Sequence, residues 1–189
     1  MLFPILRKLK NLEKMNLPSS YQWLATEGAP RHLLKALELY GVTETVGSAD
    51  NPVIMGWAKE VGLSSVYTAD EIPWCGLFMA VVMQRAMRPV VQNPLGALNW
   101  NNFGVHSNTP MFGDVLTFTR KGGGHVGIYV AEDDTTYHVL GGNQGNKVCI
   151  KRIDKSRLSQ ARRPLYNLQP DNVRVVKIIT NGDISINEA

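Results

Sequence analysis

A chain of 189 residues with 44% apolar and 19% charged residues can bury a core of its own, which sets aside a disordered or low-complexity polypeptide. Its two cysteines, Cys75 and Cys149, are too few for a disulfide scaffold, and no run of 18 apolar residues exists to span a membrane as a helix. A net charge of +4 favours approach to polyanions without choosing among nucleic acid, lipopolysaccharide and cell-wall polymer.

Residues 1–15, MLFPILRKLKNLEKM, place apolar residues before charges and offer no small-residue cleavage site, the wrong order for a secretory signal. They predict a basic amphipathic helix, with Arg7, Lys8, Lys10 and Lys14 against Glu13, packed on the domain or touching an anionic surface. Residues 16–30 are loop-like. PRHLLKALELYG then predicts a helix opened near Pro30 and closed at Gly41. Asn51-Pro52 is an N-cap with proline at the first helical position, and the apolar spacing carries that helix to Gly62. A third helix starts at or near Cys75, with Leu77, Phe78, Val81, Val82 and Met83, and stops before Pro89.

Beyond about residue 112 the apolar period becomes strand-like. GDVLTF (113–118), HVGIYVA (125–131), TYHVL (136–140) and KVCIKRI (147–153) are β-branched runs separated by turn residues. Helices followed by strands predict an α+β domain with helices packed on one face of a small antiparallel sheet. VRVVKIITNGDISIN predicts a C-terminal hairpin about Asn181-Gly182, after a connection marked by Pro164 and Pro170. The expected division is an N-terminal arm (1–20), a main domain (21–166) and a C-terminal extension (167–189).

Cysteine catalysis needs a thiolate, a base to generate it and a group that orients the base. Cys75 heads a helix, where the macrodipole favours a thiolate. His125 follows Gly122-Gly123-Gly124 and opens a strand, a sensible place for a base. Two residues are candidates to orient it: His138 in TYHVL and Asn143 in GGNQ. Cys75, His125 and His138 lack paired metal-ligand spacing, so neither metal nor cofactor is expected.

The ordered set PWCGLF (73–78), GDVLTF (113–118), GGHVGIYV (123–130) and VLGGNQ (139–144) resembles the small papain-fold cell-wall hydrolases of the NlpC and CHAP type. Within them it is most similar to a phage- and prophage-associated subfamily marked by PWC, GDV, GHVG and LGGNQ. The resemblance covers most of the chain, from the helix near residue 31 to Arg162-Arg163-Pro164. It implies a papain-like fold, with Cys75 as nucleophile, His125 as base and Asn143 as orienting residue, His138 being the alternative. Trp74 is a candidate for a wall of the substrate groove, and Tyr67 for a side-chain oxyanion donor; Gly113-Asp114 and Cys149 read as structural. The implied activity is cleavage of an amide bond in peptidoglycan, within the stem peptide or between muramic acid and L-alanine. A chain without a signal peptide would reach the wall through phage release or a secretion apparatus. Peptidoglycan is the expected partner, and nucleic acid is not.

Overall fold

The computed structural model describes residues 16–47, 49–180 and 183–188. The helix expected over residues 1–15 and the Asn181-Gly182 turn lie outside the described residues.

Helix α1 (Arg31–Leu37) begins directly after Pro30 and buries His32, Leu33, Ala36 and Leu37. Helix α2 (Pro52–Glu60) is capped as its sequence predicts: the Asn51 side chain accepts from the N–H groups of Val53 and Ile54, satisfying two donors that a helix start leaves unpaired. Helix α3 (Cys75–Arg85) buries every residue from Cys75 to Met83. At about 1.5–3 kcal/mol for each fully buried Leu, Val, Met or Phe, this helix is the main anchor between the other helices and the sheet. Gly76, in its first turn, is required by packing. A Cβ there would collide with the backbone carbonyls of Pro94 and Leu95, so the segment leading into the 3-10 turn Ala97–Asn102 lies directly on the start of α3.

The strands are β1 (Val105–His106), β2 (Val115–Arg120), β3 (Gly123–Glu132), β4 (Thr136–Gly141), β5 (Cys149–Asp154), β6 (Leu158–Arg163) and β7 (Ile184–Ser185). They form one seven-stranded mixed sheet in the order β1-β6-β2-β3-β4-β5-β7. The fold is therefore α+β, with a larger sheet than expected. β2 to β5 form an antiparallel meander, β6 returns to the far side of β2, and β7 pairs in parallel with β5. Val115, Val126, Ile128, Val130 and Leu140 face the helices in the main core. Leu116, Phe118, Tyr129, Tyr137, Val139, Ile153 and Ala161 form a second cluster, as alternation along each strand requires.

The C-terminal segment is tied to the sheet rather than folded on itself. The carbonyls of Arg174 and Val176 accept from the N–H groups of Phe112 and Glu132, Ile178 N–H donates to the Glu132 carbonyl, and β7 bonds to β5. Among the described residues no ladder joins the two expected arms of the hairpin.

Candidate active site

Cys75 occupies the first position of α3. Its Sγ lies against the backbone N–H of Val126, the residue after His125. β3 pairs with β4 only as far as Ile128 opposite Leu140, so Val126 stands beyond the end of that ladder. His125 pairs with Phe118 across β2, and directly opposed residues project to the same face. The thiol thus approaches the start of β3 from the helix side, and the imidazole projects from the same strand end on the Phe118 side. No hydrogen bond joins Sγ to the imidazole among the described residues.

The imidazole is held by Gln144: His125 Nε2 and Gln144 Oε1 are 3.1 Å apart. The amide cannot be reversed, because its Nε2 donates to the carbonyls of Cys149 at 2.5 Å and Val139 at 3.1 Å, with a longer contact to Gly141 at 3.4 Å. A side chain surrounded by acceptors must present its NH2 to them, so Oε1 is the atom that faces His125. Oε1 only accepts, hence Nε2 carries the proton and Nδ1 keeps its lone pair. A neutral, tautomer-fixed imidazole with a free Nδ1 lone pair can accept a proton from a thiol.

Gly141 and Gly142 make room for this loop. A Cβ on Gly141 would stand 3.1 Å from His125 Nε2, and one on Gly142 would meet Phe78 Cβ at 2.5 Å and Trp74 Cζ3 at 2.8 Å. The glycine pair lets the strand end press on both the helix and the imidazole at once.

The expected orienting residue, Asn143, does not hold the histidine. It sits in the left-handed region at φ 53°, and its buried Oδ1 has no hydrogen-bond partner among the described residues. The turn through Asn143 brings the next side chain, one methylene longer, back to the imidazole. His138 is excluded by distance: it pairs with Ala131, six residues along β3 from His125, about 20 Å at roughly 3.3 Å per residue. There its Nε2–H donates to Asp133 Oδ2 at 3.0 Å and its Nδ1 accepts from the Tyr21 hydroxyl at 3.1 Å, a buried network closed by Arg152. Sequence reading passed over Gln144 although it stands in the same GGNQ motif; the available signal was that glutamine, like asparagine, supplies an amide acceptor.

Trp74 is a packing residue rather than a groove wall. It is fully buried, packs at a tilt with its ring centroid 5.9 Å from that of Trp57, and its Nε1–H donates to Glu44. Tyr67 is also fully buried, and its hydroxyl has no partner among the described residues. Asp114, in the GDV motif, accepts from Met111 N–H and pairs with Arg163 through two nitrogens. Cys149 donates its thiol proton to the Gln144 carbonyl at 3.2 Å, and both cysteines are free.

Burial dominates the electrostatics. Cys75 and His125 are 4% and 1% exposed. Burial pushes the Cys75 thiol up, against the pull of the Val126 and Gly76 N–H groups and of the Arg120 charge. Burial likewise pulls His125 down to about 4; the Glu188 carboxylate and the Gln144 bond oppose this, and Arg120 and Arg157 add to it. At rest the thiol and the imidazole are therefore both neutral. No family model, curated protein or solved structure matches this chain.

Proposed function

We propose that this chain is a cysteine hydrolase of papain-like architecture, related to the NlpC- and CHAP-type cell-wall enzymes, that cleaves an amide bond in peptidoglycan. The observation that carries the reading is that a helix-borne thiol lies against the N–H of Val126, next in the chain to an imidazole whose Nε2–H is fixed by Gln144. His125 Nδ1 takes the Cys75 proton as Sγ attacks the carbonyl carbon; the Cys75 backbone N–H at the helix start is the donor suited to the developing oxyanion. The imidazolium then returns the proton to the leaving nitrogen, releasing an amine and leaving a thioester. Water, deprotonated by His125, hydrolyses that thioester to a carboxylic acid and restores the thiol. The basic composition suits an anionic envelope, to which phage release or a secretion apparatus would deliver the protein.

A second reading, a papain-like module that binds without turnover, is favoured by the near-complete burial of both groups and by the lack of a bond between them. Digestion of isolated peptidoglycan decides between them. New amine termini, identified by mass spectrometry of the muropeptides and abolished in Cys75→Ala, are expected. Their persistence in that variant would overturn the mechanism, and their absence with intact protein would favour the binding module.

A further inference from the structure

Residues 183–188 lie outside every motif from which the site was recognised, yet they close on it. After β7, Asn187 Oδ1 accepts from Arg120 Nη1 at 2.9 Å. Arg120 Nε in turn donates to the carbonyl of Gly124, the residue before His125, at 3.2 Å. The backbone carbonyl of Glu188 accepts from Gly145 N–H at 3.0 Å, one residue past Gln144. Its carboxylate has no exposed side-chain area and receives Arg157 Nη1 and Nη2 at 2.8 and 2.7 Å. Arg157 is itself held to Ser185 and Thr119 carbonyls at 2.9 and 3.1 Å.

A carboxylate taken wholly out of water is costly unless its charge is matched. Arg157 matches it, and Glu188 also acts on the imidazole. Arg120 from β2 and Arg157 from the turn before β6 both disfavour a charged His125, whereas Glu188 favours one. α3 contributes the Cys75 thiol, which lies against the Val126 N–H, and the loop after β4 contributes the uncharged Gln144.

The geometry points to Glu188 as a positioning residue of the active site: its carbonyl braces the Gly145 side of the Gln144 loop, and its carboxylate offsets Arg120 and Arg157 so that His125 can hold the proton taken from Cys75. This rests on the cysteine-hydrolase reading. The step itself is a proton transfer from Sγ to Nδ1, giving a thiolate and an imidazolium with no other reactant.

The test is the rate at which iodoacetamide alkylates Cys75 between pH 5 and 9, with peptide mass spectrometry separating Cys75 from Cys149. Near neutral pH, Glu188→Gln is expected to slow alkylation by several-fold, about tenfold for each pKa unit of basicity lost by the imidazole. The double variant Glu188→Gln/Arg157→Gln removes the cation left unmatched and is expected to recover part of that rate. Superposable profiles for the wild type and Glu188→Gln overturn the inference. So does a double variant no faster than the single one, which assigns the segment a purely structural role, and so does faster alkylation in Glu188→Gln, which makes the segment a cover. A wild-type Cys75 that reacts as an ordinary thiol refutes the hydrolase reading itself, whereas an activated thiol indifferent to Glu188 refutes only this inference.

Discussion

Replacing Gln144 by alanine is the sharpest single perturbation of the site. The substitution removes two short hydrogen bonds to the carbonyls of Val139 and Cys149 and the acceptor for His125 Nε2–H. Two neutral hydrogen bonds are worth about 0.5–1.5 kcal/mol each, and an orphaned buried donor costs about 1–3 kcal/mol more. A loss near 3 kcal/mol follows, or a drop of about 6–12 °C in Tm for a chain of this size. Function should suffer more than stability, because Nε2–H no longer has a partner that selects the tautomer; a fall in kcat of about 100-fold is expected for a displaced base. Asn143→Gly is the matched control. Glycine accepts the positive φ at that position, and the lost Oδ1 had no partner among the described residues, so both Tm and kcat should stay near wild type. Thermal unfolding by circular dichroism, with muropeptide release measured well below either Tm, separates the two residues. Loss of activity in a folded Asn143→Gly as large as that in Gln144→Ala would refute the assignment of Gln144.

Acid should unfold this protein through its buried histidines, His32 and His125 foremost. His32 and His125 are both held down to about 4 by burial, below the roughly 6.5 of an unfolded chain. Between these values the unfolded state binds more protons than the native state, so stability is complete above about pH 6.5 and falls as pH drops towards 4. At pH 5 the loss is about 2 kcal/mol per histidine, to be read from urea midpoints at pH 7 and pH 5; equal midpoints would contradict the burial of neutral imidazoles. His138→Ala removes a partner of Asp133 and of Tyr21 and should cost about 2–3 kcal/mol of stability with unchanged kcat on peptidoglycan. Lost turnover in the folded variant would return His138 to the catalytic list.

Local signals in the sequence marked the helices well. Asn51-Pro52 opens α2 by side-chain capping, and the unbroken apolar run after Cys75 is buried on every side in α3. Four of the strands were visible for the same reason, since β-branched runs between turn residues report burial directly. β6, LSQARR, gave no such signal. Its residues are half-buried apart from Ala161, and it is a strand because β2 supplies its hydrogen-bond partners from some 40 residues away. β1 and β7, two residues each, carry no period at all.

The chemistry divides in the same way. Residue type and local context singled out Cys75 and His125, because a helix start and a strand opening are local events written in adjacent residues. Which neighbour bonds the imidazole was decided by the path of the chain after Gly141, where a left-handed Asn143 hands the role to Gln144. That Trp74 packs inward, that His138 serves a separate buried network, and that Glu188 returns to the Gln144 loop are also tertiary results. Each depends on contacts between residues distant along the chain, and no pattern within a short window of sequence encodes the direction in which a side chain will find its partner.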